Sequence, residues 1–504
     1  MNNGLFGIIN IGASAFRMVI VEFNQKGMRE LEYLIKPLRL GVDTFSQGYI
    51  SLEHVKQAAE ILSNFNIKLK EYGVTQYRAL CTSGVREAGN KDFFIDYIKV
   101  HTGIDLEVLE PSEEVYIKYA SAKSAVADFD IMEKHGVVFA NIASGNVTLS
   151  ITKGVRVLYS GTLPYGSLRL KQMFVHVPFL KRYKAFDQYV DNMIKTVTAT
   201  INPAERVSYL VGGGSSINLM LRLFKPKSNY ILRKELIDLY KNVRTYSRQE
   251  LIEELKLRED EAAVLIPTLS TYIHLLEFTK SDKFFFSRSN FPITLAEFYQ
   301  GRLKDSGFKN RVKNTLIGFA EKYKSHIDHV KKTEKFTLKL FTELKEIHSL
   351  TDDDYKILET AALLHEVGYF IDNTDVAQNS YFVIKSLAIP GWKQETMRLA
   401  ACVVYRMNMK VADKDISAVA SLTVTERLLI NKLACILKTA SSLDAGKHNL
   451  IRDFSVNIMD NVIIIDAFTD REPFVELSAF ENQKRMFVET FGIPIDIRVR
   501  ITYD

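Results

Sequence analysis

Phe6-Gly-Ile-Ile-Asn-Ile-Gly-Ala-Ser-Ala-Phe-Arg-Met-Val-Ile20 contains two apolar, β-branched runs joined by a tight turn of small residues. The same device returns as Val137-Val-Phe-Ala-Asn-Ile-Ala-Ser-Gly-Asn-Val-Thr-Leu-Ser-Ile151. A strand, small-residue turn and second strand, used twice, predict two similar subdomains facing each other across a cleft. Around these hairpins, short β-branched runs alternate with longer helical patterns, the mark of an α/β fold. The expected strands are Leu5–Ile9, Met18–Phe23, Tyr77–Cys81, Leu106–Leu109, Val137–Asn141, Val147–Ile151, Val155–Leu163 and Val207–Val211.

From about Asp305 the pattern turns helical. Thr351 followed by Asp352, Asp353 and Asp354 predicts a helix start, with acids placed to complement the macrodipole. Ile357, Leu358, Ala361, Leu364 and His365 then share one face. Strand-like alternation returns at Phe454–Phe468 and Ile493–Ile501, around a helix near Ser478–Phe491. The expected division is residues 1–130 and 131–304 for the two α/β subdomains, 305–450 for a helical domain and 451–504 for a small α/β tail.

At 504 residues, 47% hydrophobic and 25% charged, the chain has the composition of an ordinary globular protein of several domains. No run of about 18 uncharged apolar residues stands out, and the opening Met-Asn-Asn-Gly-Leu-Phe has no basic start, so neither a membrane span nor export is expected. Cys81, Cys402 and Cys435 are too few and too scattered for a disulfide framework or a cysteine zinc site, and the compartment reads as cytoplasmic. The net charge of +6 does not indicate a nucleic-acid binder. Between Gly301 and Lys335, however, ten Lys or Arg stand against four acids, which is either a solvated helical face or a track for a polyanion.

Tight turns that expose backbone N–H groups are natural phosphate cradles. Gly12 and Gly145 allow close approach at the two hairpin turns, and Ser14 adds a hydroxyl. A third cluster, Val211-Gly212-Gly213-Gly214-Ser215-Ser216, lies between a strand and an apolar helical run.

In this order the motifs resemble the exopolyphosphatase and guanosine pentaphosphate phosphohydrolase family of the actin- and sugar-kinase-like superfamily, over nearly the whole chain. Asn10-Ile-Gly-Ala-Ser-Ala-Phe-Arg17 resembles the family's first phosphate loop, Asp-Ile-Gly-Ser-Asn-Ser. Thr82-Ser-Gly-Val-Arg-Glu-Ala88 resembles its Thr-Ser-Ala-x-Arg-Glu-Ala segment, and Ser112-Glu-Glu-Val115 its Glu-rich catalytic segment. Asn141-Ile-Ala-Ser-Gly-Asn-Val-Thr148 stands where the family has Asp-Ile-Gly-Gly-Gly-Ser-Thr-Glu. Leu163-Pro-Tyr-Gly-Ser-Leu-Arg-Leu170 is similar to its Leu-Pro-x-Gly-x-x-Arg-Leu.

The resemblance implies two actin-like (ribonuclease H-like) subdomains around a cleft, then an all-α domain of the His-Asp (HD) phosphohydrolase type and a small α/β C-terminal domain. It implies release of terminal phosphate from polyphosphate or guanosine pentaphosphate, with Mg2+ if the chain is active. It also implies a homodimer with no nucleic-acid or membrane partner. By position Glu113 becomes the general base, Arg86 and Arg169 the phosphate clamps, and Gly12, Ser14, Gly145, Gly212, Gly213 and Gly214 the phosphate-loop donors. Read by themselves, Glu113 and Glu114 fit equally a helix N-terminal acid pair, and Arg86 a surface ion pair.

Departures from the family pattern cluster at the expected metal ligands. Asn10, Asn141 and Thr148 replace three carboxylates, which removes most of the charge that holds a hard cation. Glu114 and Asp105 are the carboxylates that could offset them. Ala13 and Ala15 replace serines, Ala143 and Ser144 replace glycines, and Glu261-Ala-Ala-Val264 lacks the family's Arg-Ala-Asp.

In the helical region, His329 and Leu363-Leu-His-Glu-Val-Gly368 resemble the His-Asp pattern, but the last ligand position falls on Ser441 and Asp375–Tyr381 lacks histidines. His329, His365 and Glu366 make an incomplete set, so no metal is expected there, and His365 reads as a core residue. The sequence thus supports a terminal phosphohydrolase or, with its altered loops, a catalytically impaired member that binds a phosphate-rich ligand or partner as a sensor or scaffold. A nucleotide-dependent kinase of the same superfamily is the third reading, without an identifiable second substrate site.

Overall fold

The computed structural model describes residues 4–25, 27–178, 181–202, 204–303, 307–409, 417–459 and 462–501. The first hairpin pairs β1 (Gly4–Ile11) antiparallel with β2 (Ala15–Asn24), Asn10 opposite Arg17, and the Gly12 N–H closes the turn on the Ala15 carbonyl at 3.1 Å. With β3 (Gly27–Pro37), β4 (Tyr77–Cys81) and β5 (Leu106–Val108) it forms a sheet of order β3-β2-β1-β4-β5, in which β4 runs parallel to β1. β6 (Val137–Ile142), β7 (Val147–Lys153) and β8 (Arg156–Leu163) repeat the antiparallel meander, with Asn141 opposite Thr148. β9 (Tyr209–Gly213) then runs parallel to β6, and β10 (Tyr230–Leu232) and β11 (Lys283–Phe286) complete the order β10-β11-β9-β6-β7-β8. The expected repeat is therefore a repeat of topology.

Both inner strands are covered on both faces, which is why β1 reads as a continuous apolar run. Ile9 and Ile11 pack with Leu62 and Phe65 on one side, and Phe6 and Ile8 with Tyr116, Ile117 and Ala120 on the other. The helix Pro111–Ala125 also sends Tyr119 and Ala122 to Val137 and Phe139 of the second sheet. It lies between the sheets, buried continuously from Glu114 to Ala122. Pro111 in its first turn presets the helical backbone, and Glu113 and Glu114 favour the positive end of the dipole.

The chain divides into two compact units, Met1–Arg311 and Val312–Asp504. Helix Phe291–Tyr299, expected with the second subdomain, packs Leu295 and Ala296 under β1 and β2 of the first. The helix Glu261–Thr279 is long and apolar enough to cross a membrane by length and composition, contrary to expectation. Leu265, Leu269, Tyr272 and Leu276 on it are fully buried, so we read it as a core helix of the first unit.

The second unit holds the helices Ile327–Glu343, Asp352–Leu364, Val376–Ser386, Gln394–Asn408 and Val424–Ser442. Thr351 caps the second of these as its sequence predicts, accepting from the Asp354 N–H at 3.4 Å. The tail stays within this unit. β12 (Ile451–Met459) pairs antiparallel with β13 (Val462–Thr469), which runs parallel to β14 (Ile495–Ile501) after helix Phe474–Phe491.

Candidate phosphoryl-binding site

The β1–β2 and β6–β7 turns meet the end of β4 and the inter-sheet helix around a cavity of about 490 Å3 in the first unit. Gly12, Ser14, Gly145 and Gly214 line it, together with Asn10 and Asn141. Gly145 is required by close approach, since a Cβ there would sit 2.5 Å from both Phe45 Cζ and Ser83 Oγ. Gly214, at φ +93°, caps helix Ser215–Phe224 and presents its N-terminus to the cavity. Gly212 and Gly213 lie inside β9 and are not among the cavity residues.

Among the described residues one carboxylate lines the cavity, and it is Glu114 rather than Glu113. The helix phase decides this: Glu114 is buried, while Glu113 is turned about 100° away. Glu113 acts electrostatically on Tyr299, whose phenol is pushed up to about 12 by burial first and by Glu113 second. Glu114 Oε1 accepts from Lys118 Nζ at 2.6 Å and Oε2 from Arg86 Nη1 at 3.0 Å. Burial alone would raise its carboxyl, but the Lys118 and Arg86 charges outweigh burial and hold it down to about 2.

Neither predicted phosphate clamp lines the cavity. Arg86 stands behind Glu114, donating also to the Leu109 carbonyl at 2.6 Å. Arg169 donates to the Gly145 carbonyl at 2.9 Å, pairs with Glu87 at 2.5 Å and lies 4.0 Å over the Phe45 ring, so it braces the second turn against the first subdomain. Asp105 pairs with Lys99 at 2.6 Å and takes no part in the cavity wall.

The cavity's cations are Arg17, Lys118 and Arg288, none of which sequence reasoning assigned. Lys118 had a readable signal: it is a lysine in an otherwise apolar or small stretch, four residues and one turn after Glu114. Arg288 lies in the polar loop Ser287-Arg-Ser-Asn290 after β11, without helical or strand periodicity to mark it. Asn10 Oδ1 and Asn146 Nδ2 are buried in the wall without hydrogen-bond partners, an acceptor and a donor left for a ligand.

These residues do not compose a magnesium site. The orphaned Asn10 Oδ1 is a possible ligand atom, but both oxygens of Glu114 already carry cations and Thr148 Oγ1 accepts from Lys118 at 3.3 Å.

In the second unit, ligand atoms of His329, His365 and Glu366 lie within 4.8 Å of one another, a group able to hold a metal ion. The acid beside them is Asp444, not the residue at Ser441: its Oδ2 is 2.9 Å from His329 Nδ1. Helix Val424–Ser442 ends before Asp444, which lets it turn back onto His329. His365 Nδ1–H donates to the Ala362 carbonyl at 2.8 Å, and its Nε2 faces His329 Nε2 at 3.3 Å, a contact that needs a proton or another cation between two lone pairs. Burial first and His329 second depress His365 to about 4. Lysines sit on both acids, Lys332 on Asp444 at 3.1 Å and Lys447 on Glu366.

The basic stretch 301–335 is not one open track. Arg311 is buried, Arg302 lies 4.6 Å over Phe23, Lys313 pairs with Glu334 at 2.7 Å, and Lys304 and Asp305 fall outside the described residues.

The Ppx/GppA phosphatase family profile matches residues 19–288, and the profile of its domain III matches residues 312–466. The chain belongs to the Ppx/GppA phosphatase family. It is 20% identical over 396 residues to a guanosine-5'-triphosphate,3'-diphosphate pyrophosphatase of Vibrio vulnificus, covering 78% of each chain. A protein of the same description from Aliivibrio fischeri is also 20% identical, with 86% of each chain covered. An exopolyphosphatase structure from Cytophaga hutchinsonii is 22% identical with a TM-score of 0.52, covering 59% of this chain and 98% of that one. An Aquifex aeolicus Ppx/GppA family structure is 16% identical with a TM-score of 0.51, covering 60% of this chain and all of the other.

Proposed function

We propose that the first-unit cavity receives the terminal phosphoryl group of polyphosphate or of a guanosine polyphosphate and hydrolyses the phosphoanhydride bond behind it. The observation that carries this reading is the convergence of Arg17, Lys118 and Arg288, two glycine-bearing turns and one carboxylate on a single cavity. Phosphoryl transfer needs little covalent help from protein and much charge stabilisation around the equatorial oxygens. The three cations supply that, the Gly214 helix terminus adds backbone donors, and Glu114 orients the attacking water. The names of the relatives, a pyrophosphatase of guanosine polyphosphates and an exopolyphosphatase, support the substrate class.

The ion pairs of Glu114 favour a second reading, ligand binding with little turnover. A carboxylate held at about 2 is a weak base at neutral pH, although each oxygen keeps a second lone-pair direction for water. The deciding experiment follows phosphate release from polyphosphate and from guanosine pentaphosphate, with ligand binding measured alongside. Release by the wild type that Glu114→Gln abolishes is the expected result; retained binding without release assigns the sensor role. We further propose a cytoplasmic homodimer with an HD-like helical unit, in keeping with three buried free cysteines and the histidine–acid cluster.

A further inference from the structure

We propose that the Lys118 ammonium, held between Glu114 and Thr148, is the resident cation of the phosphoryl-binding cavity, so that the ligand binds without a divalent metal. Lys118 is 6% exposed and held from three directions. Glu114 Oε1 lies at 2.6 Å, Thr148 Oγ1 at 3.3 Å, and the Phe291 ring centroid at 5.1 Å. An ammonium buried this deeply requires a carboxylate, and Glu114 is the only one in the cavity wall among the described residues.

The surroundings agree with a fixed single charge. Asn10, Asn141 and Thr148 are neutral, and all three are buried. Negative side chains there would compete for Lys118, while a dication added to this set would face Lys118 with no carboxylate of its own. Of the three N–H bonds of Lys118, Glu114 and Thr148 engage two among the described residues, which leaves one for a phosphoryl oxygen.

The ligand half of this inference rests on the phosphoryl-binding reading above, and the cation half does not. Two measurements on the full chain separate them. Calorimetric titration with tripolyphosphate in EDTA tests the ligand half: wild type binds, and Lys118→Met binds at least about tenfold more weakly, as expected for loss of a charged hydrogen bond. Counting bound Mn2+ by electron paramagnetic resonance tests the cation half: Lys118→Met/Thr148→Glu gains one ion per chain over wild type. Tripolyphosphate binding by the wild type that vanishes in EDTA overturns the inference, and this outcome does not depend on any variant folding. Binding by Lys118→Met equal to wild type in EDTA overturns it as well. If tripolyphosphate fails to bind under all conditions, the phosphoryl-binding reading fails, and the gain or absence of a Mn2+ ion still decides the cation half.

Discussion

The two units treat an acid cluster in opposite ways. In the first, a lysine one turn along the same helix reaches the carboxylate from inside, and with Arg86 it engages both oxygens of Glu114. In the second, one lysine approaches from the edge, Lys447 at 39% exposed, the Lys332 ammonium is buried against Asp444, and the two histidine Nε2 atoms face each other at the centre. The first cluster is complete once its internal cation is counted. The second still has an inner position for a proton or metal. A cation built into a helix is held by the fold, whereas one bound by side chains is exchangeable, so the two clusters should respond differently to charge removal and to acid.

Glu114→Gln is expected to cost most. It leaves Lys118 and Arg86 buried without a counter-charge, and breaking a buried pair in this way costs about 3 kcal/mol or more. Thermal unfolding followed by hydrogen exchange within residues 4–303 should register the loss, and an unchanged midpoint would show that the pairs carry no stability. The same residue sets an acid window. Its folded value of about 2 lies below the ordinary 4.5, so its contribution is fully present above pH 4.5 and is lost as the pH falls through 2. The shift corresponds to about 3 kcal/mol, and in Glu114→Gln the slope of stability against pH between those limits should flatten.

Asp444→Asn is the matching change in the second unit and should cost less, about 1–3 kcal/mol. An amide can still accept from His329 Nδ1–H, so part of the contact survives. Exchange protection in helices Ile327–Glu343 and Val424–Ser442 should fall while the first unit is unaffected. A loss as large as that of Glu114→Gln would mean that the two clusters are equally sealed.

Much of the fold was legible, because it rests on local signals that repeat. The two hairpins announce themselves by apolar runs on either side of a small-residue turn, and their shared strand order follows. β3 escaped because it is an edge strand exposed at Arg29, Glu30 and Lys36, charged positions that hide the alternation. The site was legible only by neighbourhood. Ser112-Glu-Glu-Val115 locates the acid segment, but helix phase chooses between Glu113 and Glu114. That phase is set by packing on two sheets at once, so no apolar stripe in the sequence reveals it. The settings of Arg86 and Arg169 stay hidden in the sequence for a related reason. An arginine in a phosphate motif reads as a clamp, yet contacts with Glu114 and Leu109 in one case, and with Gly145, Glu87 and Phe45 in the other, occupy both side chains.

The smallest expected effect is at Lys331, and it tests whether charge outside the two clusters matters. Lys331 is exposed on helix Ile327–Glu343, whereas its neighbour Lys332 is turned inward onto Asp444. Adjacent positions on a helix face directions about 100° apart, so one lysine of the pair is structural and the other solvated. Lys331→Glu should therefore change stability by no more than about 0.5 kcal/mol. Its effect on the affinity for long against short polyphosphate should be similarly slight, because the stretch 301–335 spends Arg302, Arg311, Lys313 and Lys332 on internal contacts. Lys332→Glu sets an acid against Asp444 and should destabilise the second unit clearly. A chain-length preference that collapses in Lys331→Glu would restore the polyanion track and move part of ligand recognition out of the cavity.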